Sequence, residues 1–298
     1  MSIDLPAATA FMATHARLLD RRRFGLLVGQ GEPADVLSAV DAYRNADGGY
    51  GWGLEPDLRS PESQPGGALH ALEAFAEAAP LTTPRAAELC DWLASVSRSD
   101  GGLPFALPVT EPIGSAPFWV DADSSVSSLH ITSAVAAMAH RVARHEPAVA
   151  AHPWLAGATE YCLSAIEVMS GSPHALEVLF VLGLLDVIAD DHPRAVPLID
   201  RVVKAIPASG SMQVGGGLED ELVRPIDFTP DPEGPVRARF AEDIVAADLA
   251  RLAALQADDG GWTVDFTSYS PLAALEWRGY MTVRALGILQ RSGWLPST

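Results

Sequence analysis

The chain of 298 residues has few cysteines, few basic residues and no long uninterrupted hydrophobic run. Its two cysteines, Cys90 and Cys162, fall at apolar positions of helix-like segments, which predicts reduced core thiols and no disulfide framework. Only 20 Lys and Arg stand against 38 Asp and Glu, which gives a net charge of −18. This acidic excess argues against nucleic acid and against anionic membranes as partners.

A membrane span is also missing. The longest apolar stretch, residues 175–189, is interrupted by Glu177 and Asp186 and is too short to cross a bilayer. Near the start of the chain, the basic run 21–23 follows an apolar stretch, which is the reverse of the order in a signal peptide. We therefore expect no stable membrane insertion and a cytoplasmic location, while the sequence leaves the oligomeric state open.

A turn of Asp-Gly-Gly followed by an aromatic or apolar residue recurs along the chain. It occurs at 47–50, 100–103 and 259–262, with a degenerate copy at 215–218. Two glycines allow left-handed backbone where a helix stops, and Asp accepts hydrogen bonds from nearby backbone amides. Recurrence at a spacing of roughly fifty residues is typical of stacked supersecondary units.

The segments between these turns have helical periodicity, and hydrophobic residues make up 48% of the chain. A helix with its exit is predicted at 5–29, and paired helices at 34–44 with 66–79, 83–97 with 124–144, 154–169 with 173–190, a poorly defined unit from 193–206, and 236–256 with 271–291. The second helix of a pair tends to be apolar all round and the first amphipathic. We predict an all-α, single α/α toroid of about five to six helical hairpins, forming one domain over residues 1–298.

Long loops should gather at one mouth of this barrel. They connect the Gly-Gly turns to the inner helices at 53–65, 103–123, 218–234 and 263–270. Loops grouped at one end of a rigid scaffold commonly carry function.

The last turn points to a known family. Residues 256–262, Gln-Ala-Asp-Asp-Gly-Gly-Trp, fit the Gln-x-x-x-Gly-x-Trp repeat of triterpene cyclases, while Arg44 and Ser97 occupy the Gln position of two other copies. The chain thus resembles the prenyltransferase and squalene cyclase repeat superfamily. That resemblance implies an α/α barrel that holds an apolar, isoprenoid-like small molecule in its cavity.

The resemblance also implies candidate catalytic residues. Class II terpene cyclases protonate their substrate with an Asp-x-Asp-Asp motif, and residues 121–125 read Asp-Ala-Asp-Ser-Ser, directly before a predicted inner helix. Asp123 matches the acid, Asp121 is its partner, and Ser124 replaces the last Asp. The zinc site of protein prenyltransferases looks absent, because neither cysteine lies at a turn or beside a clustered Asp.

Aromatic residues at mouth loops and inner-helix starts are candidates for the cavity wall, since a carbocation needs π faces and the exclusion of water. They are Tyr50, Trp52, Phe105, Phe118, Trp119, Trp262, Phe266, Trp277 and Tyr280. Part of this set would be expected to pack in the core of any such repeat fold.

Other polar groups admit two interpretations each. Asp121 and Asp123 could cap a helix instead of acting as acids. His70, His130 and His174 recur near successive inner-helix starts, where they could form a metal site or proton relay or be ordinary histidines. Glu55 and Asp57 could likewise join such a relay, bind Mg²⁺ for a diphosphate, or be solvated loop charges. Because the mouth loops are acidic, we expect no cofactor, with Mg²⁺ needed only for a diphosphate substrate.

Three functions remain open on the sequence alone. The first is an enzyme acting on an apolar isoprenoid, with proton-initiated cyclisation as its chemistry. The second is a non-catalytic toroid that binds a lipid or a protein, and the third is a carbohydrate-active barrel that uses two carboxylates and stacked aromatics. Cavity polarity should discriminate between the first and the third, since apolar walls favour an isoprenoid and charged walls a sugar.

Overall fold

The computed structural model describes residues 3–295 and is mainly helical. Its α-helices are α1 (Leu5–His15), α2 (Leu18–Leu27), α3 (Pro33–Val40), α4 (Pro65–Glu77), α5 (Pro84–Val96), α6 (Pro117–Val120), α7 (Leu129–Ala143), α8 (Pro147–Ala150), α9 (Pro153–Val168), α10 (Ala175–Val187), α11 (Ala195–Val202), α12 (Pro225–Phe228), α13 (Glu242–Ala254) and α14 (Pro271–Arg291). Two-residue strands β1 (Met212–Gln213) and β2 (Leu222–Val223) pair antiparallel. The all-α class predicted from the sequence is confirmed.

Helix boundaries follow local signals. Pro65, Pro84, Pro153 and Pro271 each begin a helix, because proline has the required φ and lacks an N–H that would go unpaired there. The predicted helix at 5–29 is instead two helices, since Ala16 has extended backbone and breaks the segment.

Three Gly-Gly turns share one geometry. Gly48, Gly101 and Gly260 have φ values of +93°, +92° and +92°, so the predicted left-handed glycines are confirmed. In each turn the N–H of the second glycine donates to Oδ1 of the Asp, at 3.0, 3.0 and 3.1 Å. The predicted copy at 215–218 differs, because it lies in the connection between β1 and β2.

Each of these turns rests on a helix that lies elsewhere in the sequence. A Cβ on Gly48 would lie 3.2 Å from the carbonyl oxygen of Glu88 in α5, and one on Gly101 2.9 Å from that of Gly157 in α9. A Cβ on Gly260 would overlap the carbonyl group of Ala7 in α1. The last turn therefore packs on the first helix of the chain.

Gln256 adds hydrogen bonds to the contact between the last turn and the first helix. Its side-chain amide donates to the backbone oxygen of Asp4 at 2.8 Å and accepts from the Asp4 N–H at 2.8 Å. The Gln256 side chain thus joins the segment before the last Gly-Gly turn to the start of α1.

The remaining helices contact one another in succession. Helix α4 packs on α7, α7 on α10, α10 on α12, and α14 on α2. Arg23 of α2 reaches Glu77 of α4 at 2.7 Å, and Arg284 of α14 reaches Asp227 of α12 at 2.9 Å. These ion pairs connect α2 to α4 and α12 to α14, so the series of contacts returns to its starting helix.

Both cysteines lie in the core as predicted. Cys90 and Cys162 are buried and unpaired, and burial raises the pKa of each thiol to about 12. Within residues 3–295, no helix combines the length and the apolarity needed to span a bilayer.

Candidate functional site

The acid pair predicted at 121–125 does not lie in a dry cavity. Asp121 and Asp123 are both exposed. Asp123 Oδ1 accepts from the Ser125 hydroxyl at 2.6 Å and from the Ser125 N–H at 2.8 Å, and these bonds lower the pKa of Asp123. The expectation of a buried acid with a raised pKa is therefore wrong for Asp123.

Nor does Asp123 cap helix α7, which follows it. Helix α7 begins at Leu129, later than the predicted 124, and the Ser128 side chain caps it by accepting from the Ile131 N–H. The local sequence Asp-Ser-Ser closes its own surface turn instead, which is a common alternative for Asp followed by Ser.

The nine candidate aromatics separate into core, surface and site. Tyr50 and Trp262 are fully buried, and the Trp262 indole donates to the Leu252 carbonyl, so both are packing residues. Trp52 is 56% exposed and bonds to Asn45. The prediction that these three line a cavity is wrong: Tyr50 and Trp262, each directly after a Gly-Gly turn, pack back into the helix layer, whereas Trp52 lies at the surface.

One group of the remaining aromatics comes from the 103–123 loop and contacts His130 of α7. Phe105 lies parallel to Trp119 with ring centroids 4.4 Å apart, and Phe118 lies 5.6 Å from Trp119. His130 of α7 is tilted on Phe105 and stacks on Phe180 of α10 at 4.7 Å. This group thus runs from the 103–123 loop down to α10.

A second group surrounds His70. Trp277 and Tyr280 of α14 meet the His70 ring edge to face at 6.1 and 5.2 Å, and Phe266 contacts Trp277 at 5.3 Å. Six of the nine predicted aromatics therefore lie in two groups around α4, α7 and α14.

His70, at the centre of the second group, bonds to two carboxylates. His70 Nε2 bonds to Glu55 Oε2 at 2.8 Å, and His70 Nδ1 bonds to Glu73 Oε2 at 2.9 Å. Burial opposes the charged imidazole, but the two carboxylates outweigh it and raise the pKa of His70 to about 9. At neutral pH His70 is then an imidazolium that donates from both ring nitrogens.

Glu73 is the carboxylate that pairs with the positive charge of His70. Burial alone would raise the pKa of its carboxyl, but the His70 charge and the nearby Arg23 lower that pKa to about 2. Its other oxygen accepts from the Tyr280 hydroxyl at 2.8 Å. Arg23 lies 3.8 Å from Glu73 and 5.1 Å from the centre of the Tyr280 ring.

Asp57 differs from Glu73 because its pKa is raised and not lowered. It is 3% exposed, and burial raises its pKa, assisted by the charge of Glu55 and partly offset by the Trp277 hydrogen bond. The Trp277 indole donates to Oδ2 at 2.7 Å, whereas Oδ1 has only a long contact of 3.3 Å with the Tyr269 N–H. Oδ1 thus has the weaker of the two hydrogen bonds and is the better position for a proton.

Contacts between three loops hold Asp57 in this position. The Asp57 carbonyl accepts from the Ala116 N–H at 2.7 Å, so loops 53–65, 103–123 and 263–270 meet at this residue. Arg59 pairs with Glu276 of α14 at 2.6 Å and ties the first loop to that helix. We call Glu55, Asp57, His70 and Glu73 the mouth cluster.

Burial corrects one interpretation of the loop. The interpretation of Glu55 and Asp57 as solvated loop charges is wrong, because they are only 7% and 3% exposed. Sequence reasoning missed Glu73 and Arg23 altogether. The available signal is the spacing of three residues between His70 and Glu73 on α4, whose other residues are small or apolar apart from Glu77 at its end.

The three recurring histidines do not act together. Burial and, to a smaller extent, the charge of His174 lower the pKa of His130 to about 4. His174 caps α10, with Nδ1 accepting from the Leu176 N–H and Nε2 donating to the Gly215 carbonyl at 2.9 Å. In the part of the chain that the structure describes, no three His, Cys, Asp or Glu side chains form a group able to hold a metal ion.

The mouth cluster can therefore supply a buried carboxyl of raised pKa, a fixed imidazolium and the Glu73 carboxylate beside aromatic faces. Such a set suits proton transfer and the stabilisation of positive charge on a ligand. When the chain is compared with known proteins, no protein-family model matches it and no curated protein matches it.

Proposed function

We propose that this protein is an enzyme that binds a hydroxylated, carbohydrate-like small molecule at the mouth of an α/α toroid and transfers a proton to it from Asp57. The observation that carries the proposal is a buried carboxyl of raised pKa that shares Glu55 and Trp277 as neighbours with an imidazolium held between two carboxylates. Charged groups on the inner helices favour a substrate with hydroxyls over a bare hydrocarbon.

The toroid is the arrangement that best accounts for the helix contacts. The succession α14, α2, α4, α7, α10 and α12 returns on itself, and the turn after α13 rests on α1. On this interpretation α3, α5, α9 and α13 lie outside, and the mouth cluster faces one end of the central space.

In the proposed reaction Asp57 acts as general acid. Its Oδ1–H donates the proton to a bridging oxygen of the substrate, and the carbon–oxygen bond breaks with its electron pair remaining on that oxygen. The ionised carboxylates of the mouth cluster stabilise the positive charge that develops on the carbon, as in glycoside hydrolysis. Water then adds to that carbon and returns a proton to the Asp57 carboxylate.

Aromatic residues would position the sugar. Trp277 fixes Oδ2 of Asp57, so that Oδ1 keeps one orientation, and Gly66 brings the Phe105–Trp119 stack beside Glu55 of the cluster. Apolar C–H faces of sugars pack on such rings while their hydroxyls bond to carboxylates and imidazolium.

A second candidate function is the isoprenoid chemistry suggested by the resemblance. The apolar face of α10, with Leu176, Leu179 and Phe180, favours it. In that case Asp57, and not Asp123, would be the acid, since protonation of an alkene needs a carboxyl kept neutral in a dry site.

The test is Asp57→Asn with Asp123→Asn as its matched control. The amide introduced at position 57 can still accept from the Trp277 indole but has no acidic proton, so we expect turnover of a panel of aryl glycosides to fall about 100-fold or more. The control removes an exposed carboxylate and should retain full turnover. Activity should be compared alongside thermal unfolding of both variants.

Two results would overturn the proposal. If Asp123→Asn abolishes turnover and Asp57→Asn does not, the acid is at the surface turn. If wild type turns over no glycoside but converts an isoprenoid alcohol in an Asp57-dependent way, the second candidate replaces the first.

A further inference from the structure

The inner helices present two chemically different walls. The polar wall comes from α4 and α14, which carry His70, Glu73, Trp277 and Tyr280. The wall of α10 is apolar, and Leu176, Leu179, Phe180 and Gly183 share one helix face as positions i, i+3, i+4 and i+7.

The apolar wall borders unfilled space. Leu176 and Leu179 are only partly buried, although Val178, Leu182 and Leu185 on the other sides of α10 have no exposed surface. The decisive position is Gly183. A Cβ built on it would meet no heavy atom within 4 Å, which is unusual in the middle of a helix packed against neighbours.

The two walls are continuous. His130 stacks on Phe180 and is tilted on Phe105, which stacks on Trp119. Gly66 of α4 brings Trp119 beside Glu55, since a Cβ there would lie 3.3 Å from the Trp119 ring and 3.5 Å from Glu55 Cγ. A ligand can thus leave the mouth cluster over aromatic rings and continue along α10.

The length of the apolar wall is limited. From Leu176 to Gly183 the helix rises ~10 Å, about the length of an extended octyl chain. One turn further, Asp186 accepts from the Val236 N–H at 2.8 Å and closes the stretch with a polar group.

We propose that the substrate is an amphiphile, with a hydroxylated head at the mouth cluster and a single apolar chain that lies along α10 and ends at Gly183. This inference rests on the proposed function and adds the chain to it. Burial of each methylene should tighten binding by about 4-fold. Gly183 then sets the longest chain that the site accepts.

The experiment compares methyl glucoside, octyl glucoside and 1-octanol as ligands, below the critical micelle concentration, by isothermal titration calorimetry. Wild type should bind octyl glucoside at least ~100-fold more tightly than methyl glucoside. Gly183→Trp fills the space and should reduce that ratio to about 3-fold while leaving methyl glucoside binding unchanged. Gly157→Trp is the matched control, because a Cβ there also meets nothing within 4 Å but Gly157 is exposed on α9.

The possible results test the chain site and the carbohydrate-like head separately. A wild-type octyl-to-methyl ratio near one, or an equal effect of the two tryptophan substitutions, would overturn the chain site. If 1-octanol binds as tightly as octyl glucoside and Gly183→Trp weakens both, the chain site stands and the carbohydrate-like head fails. Absence of binding by all three ligands would overturn both proposals. Should Gly183→Trp unfold, Gly183→Leu repeats the comparison with a smaller side chain.

Discussion

Raising the pH from 6.5 to 9 should lower the free energy of unfolding by about 3 kcal/mol, because His70 holds its proton more tightly in the folded state. The pKa of His70 is about 9 in the fold against an ordinary value of 6.5. Below pH 6.5 both states carry the proton, and the contribution is complete. Between 6.5 and 9 the unfolded chain loses the proton first, so stability falls as the pH rises.

Acid should destabilise the protein for a different reason. Burial lowers the pKa of His130 and of His140 to about 4. As the pH falls from 6.5 towards 4, these two histidines bind protons in the unfolded chain but not in the fold. The free energy of unfolding therefore falls again. Stability should therefore be greatest near pH 6.5.

Urea denaturation at closely spaced pH values measures both slopes, and two variants assign them. His70→Gln should remove the loss between pH 6.5 and 9. His140→Gln should leave that loss intact and reduce the slope on the acid side. A wild-type protein whose stability is constant from 6.5 to 9 would mean that His70 is not an imidazolium in the fold.

Gly260→Ala should destabilise the protein by at least ~3 kcal/mol, or roughly 6–12 °C in the melting temperature. An Ala at φ +92° is strained by itself, which costs about 1 kcal/mol. The larger part comes from the new Cβ, which would overlap the backbone of Ala7 and cannot be accommodated unless α1 moves away.

Gly216→Ala separates these two contributions. Gly216 has φ +79°, and a Cβ there meets no heavy atom within 4 Å. We expect a loss of about 1 kcal/mol for it, from backbone strain alone. Equal losses for the two variants in thermal and urea denaturation would show that the last turn does not depend on close contact with α1.

The helices and turns could be predicted from the sequence because their causes are local. Asp-Gly-Gly specifies its own turn, and prolines such as Pro65 and Pro271 begin helices whatever surrounds them. The aromatic residues after the turns were misassigned for a related reason. Their side chains return to the helix layer, and a short pattern does not tell which face is core and which is cavity.

The site could not be predicted in the same way, because the residues that contact one another in it are far apart in the sequence. Asp57 and Trp277 are 220 positions apart, and Glu73 and Tyr280 are 207 apart. Asp123 was favoured because a four-residue motif marked it, yet its pKa is set by Ser125, two residues away. Whether an Asp is buried depends on which loops pack on it, and no local motif contains that information.

The central claim is that Asp57, and not Asp123, is the proton donor of the site. The most direct measurement is a ¹³C NMR titration of the Asp carboxyl carbons, assigned with Asp57→Asn and Asp123→Asn, with and without octyl glucoside. Asp57 should titrate above the ordinary Asp value of 3.8 and shift when the ligand binds, while Asp123 should titrate below 3.8 and not respond. An Asp57 that titrates below 3.8, or a ligand response confined to Asp123, would contradict the account.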